Sequence, residues 1–192
     1  MERKYIRYII EQTGFLSHAD MKEDTEEMHV LMDSLIDHII IRKIFSSPAN
    51  RKSRNGRIFN FDAFSLANGG ACDLFDTIKP SLEKAGLITT SVSQIFEINE
   101  GSGNALYKFM LNNERCNLSV PARDTEEVME HVKKKYSRFL NSLLRKKRIR
   151  ERIYFMNDVS RGTELAILTP AQAKFINSLN LDPLDRPYKF SY

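Results

Sequence analysis

The sequence is poor in cysteine, with only Cys72 and Cys116 among its 192 residues. Two thiols are too few for the disulfide framework of a small secreted protein, and their separation does not match the spacing of zinc ligands. This usage favours a reducing compartment inside a cell. We therefore predict a cytoplasmic protein, cellular or virus-encoded, that carries no structural metal.

Long apolar runs are also missing, since no stretch approaches the roughly 20 residues of a membrane-spanning helix. The N-terminus, MERKYIRYII, places basic residues before a short apolar stretch, but Glu11, Gln12 and Thr13 follow it at once. A secretory signal needs a longer apolar core and a small-residue cleavage site. We predict neither a signal peptide nor an association with membranes.

Catalytic and cofactor motifs are the third absence. His29, Asp33 and Asp37 repeat at helical spacing, a pattern that suits a metal but more commonly forms the polar face of an amphipathic helix. Cys72 follows two glycines at a predicted helix start, where a thiolate would be favoured, yet no partner base is indicated. We predict a non-enzymatic protein without metal or cofactor, while a site assembled from scattered residues stays open.

Positive charge, by contrast, is abundant and is concentrated in residues 133–152. Ten of these twenty residues are Lys or Arg and Glu151 is the only acid, so the stretch carries +9. The whole chain carries +4, which leaves −5 for the other 172 residues. One segment therefore makes the protein basic, with a pI near 9.0.

The basic stretch belongs to a predicted long helix that begins after Asp124, an N-cap whose capping-box partner would be Glu127. At helical spacing one side is apolar and faces the core: Val128, Val132, Tyr136, Phe139, Leu140 and Leu143. The opposite side carries a ladder of five cations: Lys134, Arg138, Arg145, Arg148 and Arg152.

Beyond Leu144 the apolar side of this helix is interrupted, because Lys146, Lys147 and Arg150 fall on it. The helix is therefore predicted to leave the core there, to bend or to change partners. Apolar residues resume in a different phase over residues 149–156, which indicates a second packing surface.

A one-sided row of cations indicates an anionic partner, DNA or RNA first, although an acidic protein or mere solvation would suit the same charges. Five phosphate contacts would make the affinity fall with salt at a log–log slope of about −4 to −5. We predict a non-catalytic nucleic-acid-binding protein with a regulatory or replication-related role. Its predicted contacts in this region are Lys134, Arg138, Arg145, Lys146, Lys147, Arg148, Arg150 and Arg152.

A second basic cluster occupies the linker of residues 46–57, which is rich in turn-forming residues. Arg51, Lys52, Arg54 and Arg57 lie within it. These side chains would add phosphate contacts if the linker lies on the same face as the basic helix. The alternative is an ordinary solvated loop.

The central part of the chain predicts a short strand, RIFNFDAF, a turn at residues 68–70 and two helices. The first helix spans residues 71–78, because Lys79-Pro80 interrupts it. Pro80 opens the second helix, PSLEKA, which ends at Gly86 in a left-handed cap. Residues 89–98 and 105–111 then form a hairpin around a turn at 100–104.

A helix, a turn, a helix ending in LEKAGLI and a two-stranded hairpin together resemble a winged helix-turn-helix domain. The resemblance covers residues 25–111, with a predicted helix at 25–45 as the first helix. It implies that Lys79 and Lys84, with Ser81 and Glu83, face the DNA major groove and that residues 100–104 are the wing tip. Domains of this family also serve as protein–protein modules.

The chain is thus predicted to be α+β, mainly α, in four parts. These are N-terminal helices (1–45), the basic linker (46–57), a winged-helix-like unit with its hairpin (58–120), and the long basic helix with the C-terminal tail (121–192). In the last part, Thr169-Pro170 opens a short helix.

A second interpretation is a structural or assembly subunit of a viral particle or of a larger nucleoprotein complex. The tail, the apolar residues 149–156 and the hairpin would then bury against other chains. A protein partner or a homo-oligomer is expected in that case, so a mass measurement and a nucleic-acid binding assay separate the two interpretations.

Overall fold

The computed structural model describes residues 3–15, 17, 57–99, 104–121, 126–158, 162–178 and 188. Several predictions lie outside these residues. They are the helix at 25–45 with His29, Asp33 and Asp37, the linker cations Arg51, Lys52 and Arg54, the wing tip at 100–103 and the N-cap Asp124.

The described residues form five helices and two small antiparallel sheets, which confirms the predicted α+β class. In chain order the elements are α1 (Arg3–Gln12), β1 (Ile58–Phe61), α2 (Ala63–Ala67), α3 (Ala71–Lys84), β2 (Val92–Asn99), β3 (Asn104–Leu111), β4 (Glu114–Asn117), β5 (Val120–Pro121), α4 (Glu126–Lys146), β6 (Arg152–Asp158), β7 (Gly162–Leu168) and α5 (Pro170–Asn177).

The first sheet has the strand order β1-β7-β6 and joins distant parts of the chain. Ile58 of β1 lies opposite Ala166 of β7, and Ile153 of β6 lies opposite Ile167. Residues 164–168 of the central strand β7 are all buried. A strand buried on both faces does not alternate polar and apolar residues, which explains why periodicity did not predict it.

The second sheet has the order β2-β3-β4, and β5 also pairs with β3. β2 and β3 pair without a break, from Val92 opposite Leu111 to Asn99 opposite Asn104. This pairing confirms the predicted hairpin.

Phe109 of β3 lies at the centre of the core that joins this sheet to α3 and α4. Its ring is fully buried and lies 5.8 Å from that of Phe75, 5.3 Å from Tyr136 and 5.9 Å from Phe139, measured between ring centroids. The apolar side predicted for α4 is buried or half-buried along its whole length: Val128, Val132, Tyr136, Phe139, Leu140 and Leu143.

Two tyrosine hydroxyls hold the start of α3 against this core. The Ala71 amide donates to the Tyr107 hydroxyl over 2.8 Å, and that hydroxyl donates to the Leu66 carbonyl over 2.9 Å. The Tyr136 hydroxyl donates to the Ala71 carbonyl over 3.1 Å. Burial raises the pKa of both phenols, so both remain protonated donors at neutral pH.

The single helix α3 corrects the prediction of two helices separated at Lys79-Pro80. α3 runs from Ala71 to Lys84 with Pro80 inside it. Proline removes one helical hydrogen bond and crowds the carbonyl four residues earlier. Burial of both halves in one core offsets that cost, since the apolar face is continuous: Leu74, Phe75, Ile78 and Leu82.

The left-handed cap predicted at Gly86 is confirmed, with a φ of 103°. The Gly86 amide donates to the Glu83 carbonyl and the Leu87 amide to the Leu82 carbonyl, each over 2.9 Å. This bond pair is the Schellman motif, and it places Leu87, which is 1% exposed, in the core.

Replacing Gly86 by valine should therefore lower the free energy of unfolding by more than about 1 kcal/mol. A Cβ at Gly86 would meet no atom within 4 Å, so the cost comes from backbone strain and not from a clash. Urea denaturation measures it, with Lys84→Val in the right-handed last turn as the control. If Gly86→Val were as stable as Lys84→Val, the left-handed conformation at Gly86 would not be required for stability, which would contradict the cap.

The N-cap predicted at Thr169, where the last helix begins, is confirmed, and in the structure it forms a capping box. The Thr169 hydroxyl accepts from the Gln172 amide over 3.3 Å, and the Gln172 side chain accepts from the Thr169 amide over 2.8 Å. Gln172 also donates to the Thr13 carbonyl over 2.7 Å. The cap thereby joins α5 to the C-terminal end of α1.

Candidate anion-binding site

The turn after α4 shapes a strongly basic corner of the described structure. The Arg148 amide donates to the Arg145 carbonyl and the Ile149 amide to the Leu144 carbonyl, each over 2.9 Å. Arg148 has a φ of 58°, in the left-handed region, and Ile149 is only 8% exposed. These are the bonds and the apolar contact of a Schellman motif, with an arginine in the place where glycine is usual.

The predicted ladder of five helical cations is wrong in its last two members. Lys134, Arg138 and Arg145 lie on α4, but Arg148 belongs to the cap and Arg152 is the first residue of β6. The turn buries the apolar side chain of Ile149. In a continued helix, Ile149 would have lain within the basic segment, out of phase with the apolar side of α4.

Asn141 fixes the return of the chain from the turn to α4. Its side chain accepts from the Ile153 amide over 2.7 Å and donates to the Ile153 carbonyl over 3.0 Å. The buried amide thus pairs with β6 as a neighbouring strand would, and the corner between α4 and β6 is anchored at both ends.

Five cations of this corner are exposed: Arg145, Lys146, Lys147, Arg148 and Arg150. The Lys146 ammonium lies 2.8 and 2.9 Å from the two carboxylate oxygens of Glu114 on β4, so its charge is largely neutralised. The Arg145 guanidinium donates to the Asn141 carbonyl over 3.3 Å. Of the five exposed cations, Lys147, Arg148 and Arg150 border an open groove.

This groove has a volume of about 520 Å³. The basic corner borders it together with the end of α1, the cap of α3 at Gly86, and Thr169. Hydroxyl and backbone groups accompany the cations, and Glu151 is the only acid among the described residues that line the groove. Chemically, the groove suits a phosphate-bearing ligand better than an apolar one.

Arg57, the last cation of the basic linker, supplies a further positive charge, and the sequence did not distinguish it from the other linker cations. It is 1% exposed, and its guanidinium donates to the Ile167 carbonyl (3.1 Å), the Gly14 carbonyl (3.0 Å) and the Ser17 hydroxyl (2.8 Å). Burial lowers its pKa from 12.5 to about 10, against the opposing effect of Glu151. It therefore stays charged at neutral pH while holding the end of α1 to β7.

Arg152, predicted as a phosphate contact, forms hydrogen bonds within the turn itself. Its guanidinium donates to the Ile149 and Glu151 carbonyls, over 2.6 and 2.5 Å. Burial and then the nearby charge of Arg145 lower its pKa. Its charge contributes to the corner, while its hydrogen bonds serve the turn.

The basic stretch also contains a cation that points inward. Lys133 is 4% exposed, forms an ion pair with Glu130 and lies 6.0 Å from the centroid of the Phe155 ring. Part of the +9 charge counted from the sequence is therefore not presented to a partner.

The two predicted contacts on α3 do not lie in the groove lining. Lys79 is half-buried and 4.0 Å from Glu83, and Lys84 is exposed at the helix end. Lys84 is next in sequence to Ala85 and Gly86, which do line the groove. α3 therefore brings one of its two predicted cations towards the basic corner.

The described residues offer little to thiol or metal chemistry. Burial, followed by the charges of Asp76 and Asp73, raises the pKa of Cys72, and burial raises the pKa of Cys116 to about 12. Neither thiol is therefore a thiolate at neutral pH. Within the described ranges, no three His, Cys, Asp or Glu residues are grouped so that they could hold a metal ion.

The described chain is thus an α+β protein with a basic corner beside an open groove. None of its described helices combines the length and the apolar character that crossing a membrane requires. Comparisons with protein families, with curated proteins and with solved structures find no match to this chain.

Proposed function

We propose that this protein binds nucleic acid without catalysis, through the phosphate backbone, at the corner between α4 and β6. The observation that carries the proposal is the exposure of Lys147, Arg148 and Arg150 on one side of the groove, with Arg145 exposed beside them. Free Cys72 and Cys116 suit a reducing, cytoplasmic setting for this binding.

The number of cations exceeds what the helix itself requires. The C-terminal end of a helix carries about half a negative charge, so one or two cations in its last turn are enough to compensate it. Arg145 and Lys146 occupy that last turn. Lys147, Arg148 and Arg150 lie beyond it, and their mutual repulsion would cost stability unless an anion offsets it.

A winged-helix architecture is the second part of the proposal. α2, the turn at 68–70, α3 and the β2–β3 hairpin follow one another in the order of such a domain. The helix pair is then α2 and α3, with Lys79 and Lys84 in the C-terminal half of the second helix. Backbone contacts at the basic corner would orient this unit, and α3 would read bases if the binding is sequence-specific.

An assembly subunit remains the alternative function, and one observation favours it. β2 has an outer edge to which no described strand pairs, and exposed isoleucines lie along this strand: Ile95 and Ile98. Such an edge is a place where other chains attach.

The test of nucleic-acid binding is the triple variant Lys147→Glu, Arg148→Glu and Arg150→Glu. Four contacts, including Arg145, should give the wild type a log–log salt slope of about −3 to −4. At about 0.1 M salt each phosphate contact raises the binding constant nearly tenfold. The variant should therefore lose at least about 100-fold in affinity. Fluorescence anisotropy with matched DNA and RNA oligonucleotides, titrated with salt, measures both quantities.

The matched control is Lys4→Glu, Arg115→Glu and Lys174→Glu, three exposed cations on three other elements. It changes the net charge of +4 by the same amount. The control should keep most of the affinity and the slope. If both triple variants lost affinity equally, the net charge alone would explain the effect. If the salt slope of the Lys147, Arg148 and Arg150 variant were unchanged, the basic corner would be excluded as the contact surface.

A further inference from the structure

The outer edge of β2 is the open end of the second sheet. β3 has β2 on one side and both β4 and β5 on the other, so β2 is an edge strand. Among the described residues none pairs with that edge over positions 92–98. In the first sheet, by contrast, the outer edge of β6 is covered at Phe155, which exchanges two backbone hydrogen bonds of 2.8 Å with Tyr188.

β2 also has few of the features that protect a solvent-exposed edge, since Glu97 is its only charged residue. Its sequence, VSQIFEIN, contains no proline, lysine or arginine, and its pairing with β3 is free of bulges over the full eight residues. Ile95 is 37% exposed, Ile98 58%, and Leu106 of β3 38%. Long, regular and apolar edges of this kind are templates for the addition of another strand.

We propose that a second copy of this chain occupies the edge, with the two β2 strands antiparallel around a two-fold axis at Ile95. The two second sheets would then form one continuous sheet. Residues that lie opposite each other must be on the same face of that sheet. The two-fold axis must therefore pass between two copies of the same residue, and it cannot lie midway between two residue positions. Of these positions, Ile95 gives the most complementary pairs.

With the axis at Ile95, each carboxylate lies opposite a hydroxyl, because Glu97 of one copy faces Ser93 of the other. On the inner face Ile98 meets Val92, which covers Ile98, the more exposed of the two isoleucines of β2. An axis at Glu97 would oppose two carboxylates, which is unfavourable. The strand is therefore complementary to itself in one register.

The pairing would also join two apolar patches on the outer face. Ile95 lies opposite Lys108 of β3, with Leu106 and Met110 as its diagonal neighbours. Across the axis the two Ile95 side chains would meet, flanked by these residues from each copy. A single strand pair buries less surface than a typical stable interface, so the dimer should be reversible and dependent on concentration.

Sedimentation equilibrium over a wide concentration range tests the proposal directly. The wild type should change from monomer to dimer as concentration rises. Ile95→Lys should be monomeric throughout, because two ammonium groups would face each other across the axis. Ile88→Lys is the matched control, since Ile88 is 78% exposed and lies before β2; it should dimerise like the wild type.

Site-specific oxidation tests the register. In a Cys72→Ser background, Ile95→Cys should form a covalent dimer on mild oxidation, whereas Glu97→Cys should not, because its counterpart is Ser93. Circular dichroism melts establish that each variant is folded. Stronger cross-linking through Glu97→Cys, or a dimer that survives Ile95→Lys, would overturn the proposal. A wild type that stays monomeric would also overturn it and would leave the edge to a strand of another protein.

This dimer does not involve the basic corner, so the two proposals fail separately. Ile95→Lys should bind nucleic acid with the salt slope of the wild-type monomer. The triple variant at Lys147, Arg148 and Arg150 should still dimerise.

Discussion

Replacing Arg57 by methionine should destabilise the protein by about 3 to 5 kcal/mol. The buried guanidinium donates to the Phe15, Gly14 and Ile167 carbonyls and to the Ser17 hydroxyl. Hydrogen bonds to a charged group contribute about 1.5 to 3 kcal/mol each, and methionine leaves all four acceptors without this donor. The loss should appear as a lower urea midpoint with an unchanged dependence on denaturant.

Arg57→Lys is the informative companion variant. Lysine keeps the charge, but one ammonium cannot reproduce the planar fork that reaches acceptors on three sides. Its stability should therefore fall between those of the wild type and Arg57→Met. If Arg57→Lys is as stable as the wild type, the charge alone matters and the geometry of the guanidinium does not. If Arg57→Met is also unchanged, the contact between α1 and β7 does not contribute to stability.

Replacing Asn141 by leucine should destabilise the protein by about 2 to 5 kcal/mol. Leucine has a similar volume but leaves both the amide and the carbonyl of Ile153 buried without their partner, at about 1 to 3 kcal/mol each. Asn141 is 5% exposed, so water cannot readily replace its amide. The variant should also weaken the proposed nucleic-acid binding, because the corner that follows α4 loses its anchor to β6.

Hydrogen exchange separates this local effect from a general loss of stability. The Ile153 amide, bonded over 2.7 Å in the wild type, should exchange much faster in Asn141→Leu than the amides of β7 do. A neighbouring substitution, Ser142→Leu, leaves both Ile153 bonds in place and is the control. Slow exchange at Ile153 together with an unchanged urea midpoint would exclude the anchoring role.

Local patterns were sufficient wherever one segment specifies its own structure. Four features follow from spacing or from the conformational preferences of single residues: the apolar side of α4, the left-handed cap at Gly86, the N-cap at Thr169 and the β2–β3 hairpin. The break expected at Lys79-Pro80 did not occur, because burial of the apolar face of α3 outweighs the local cost of one proline. Tertiary packing can override a local signal in this way.

The candidate site was predictable in composition but not in shape. The sequence located the charge, and Lys147, Arg148 and Arg150 are exposed as expected. It did not show that Lys146 is neutralised by Glu114 or that Lys133 is buried, because both partners depend on how helices and strands pack. Nor could it separate Arg57 from the other cations of the linker, since only the fold encloses its guanidinium.

The basic stretch of residues 133–152 shows the same division most clearly. Its charge and the apolar side of its first half are properties of the sequence alone, because they depend on residue type and helical period. The end of the helix at Lys146, the left-handed conformation of Arg148 and the start of β6 required the tertiary structure. β6 needs β7 and Asn141 as partners for its backbone, and such long-range pairing leaves no periodic signal within the stretch itself.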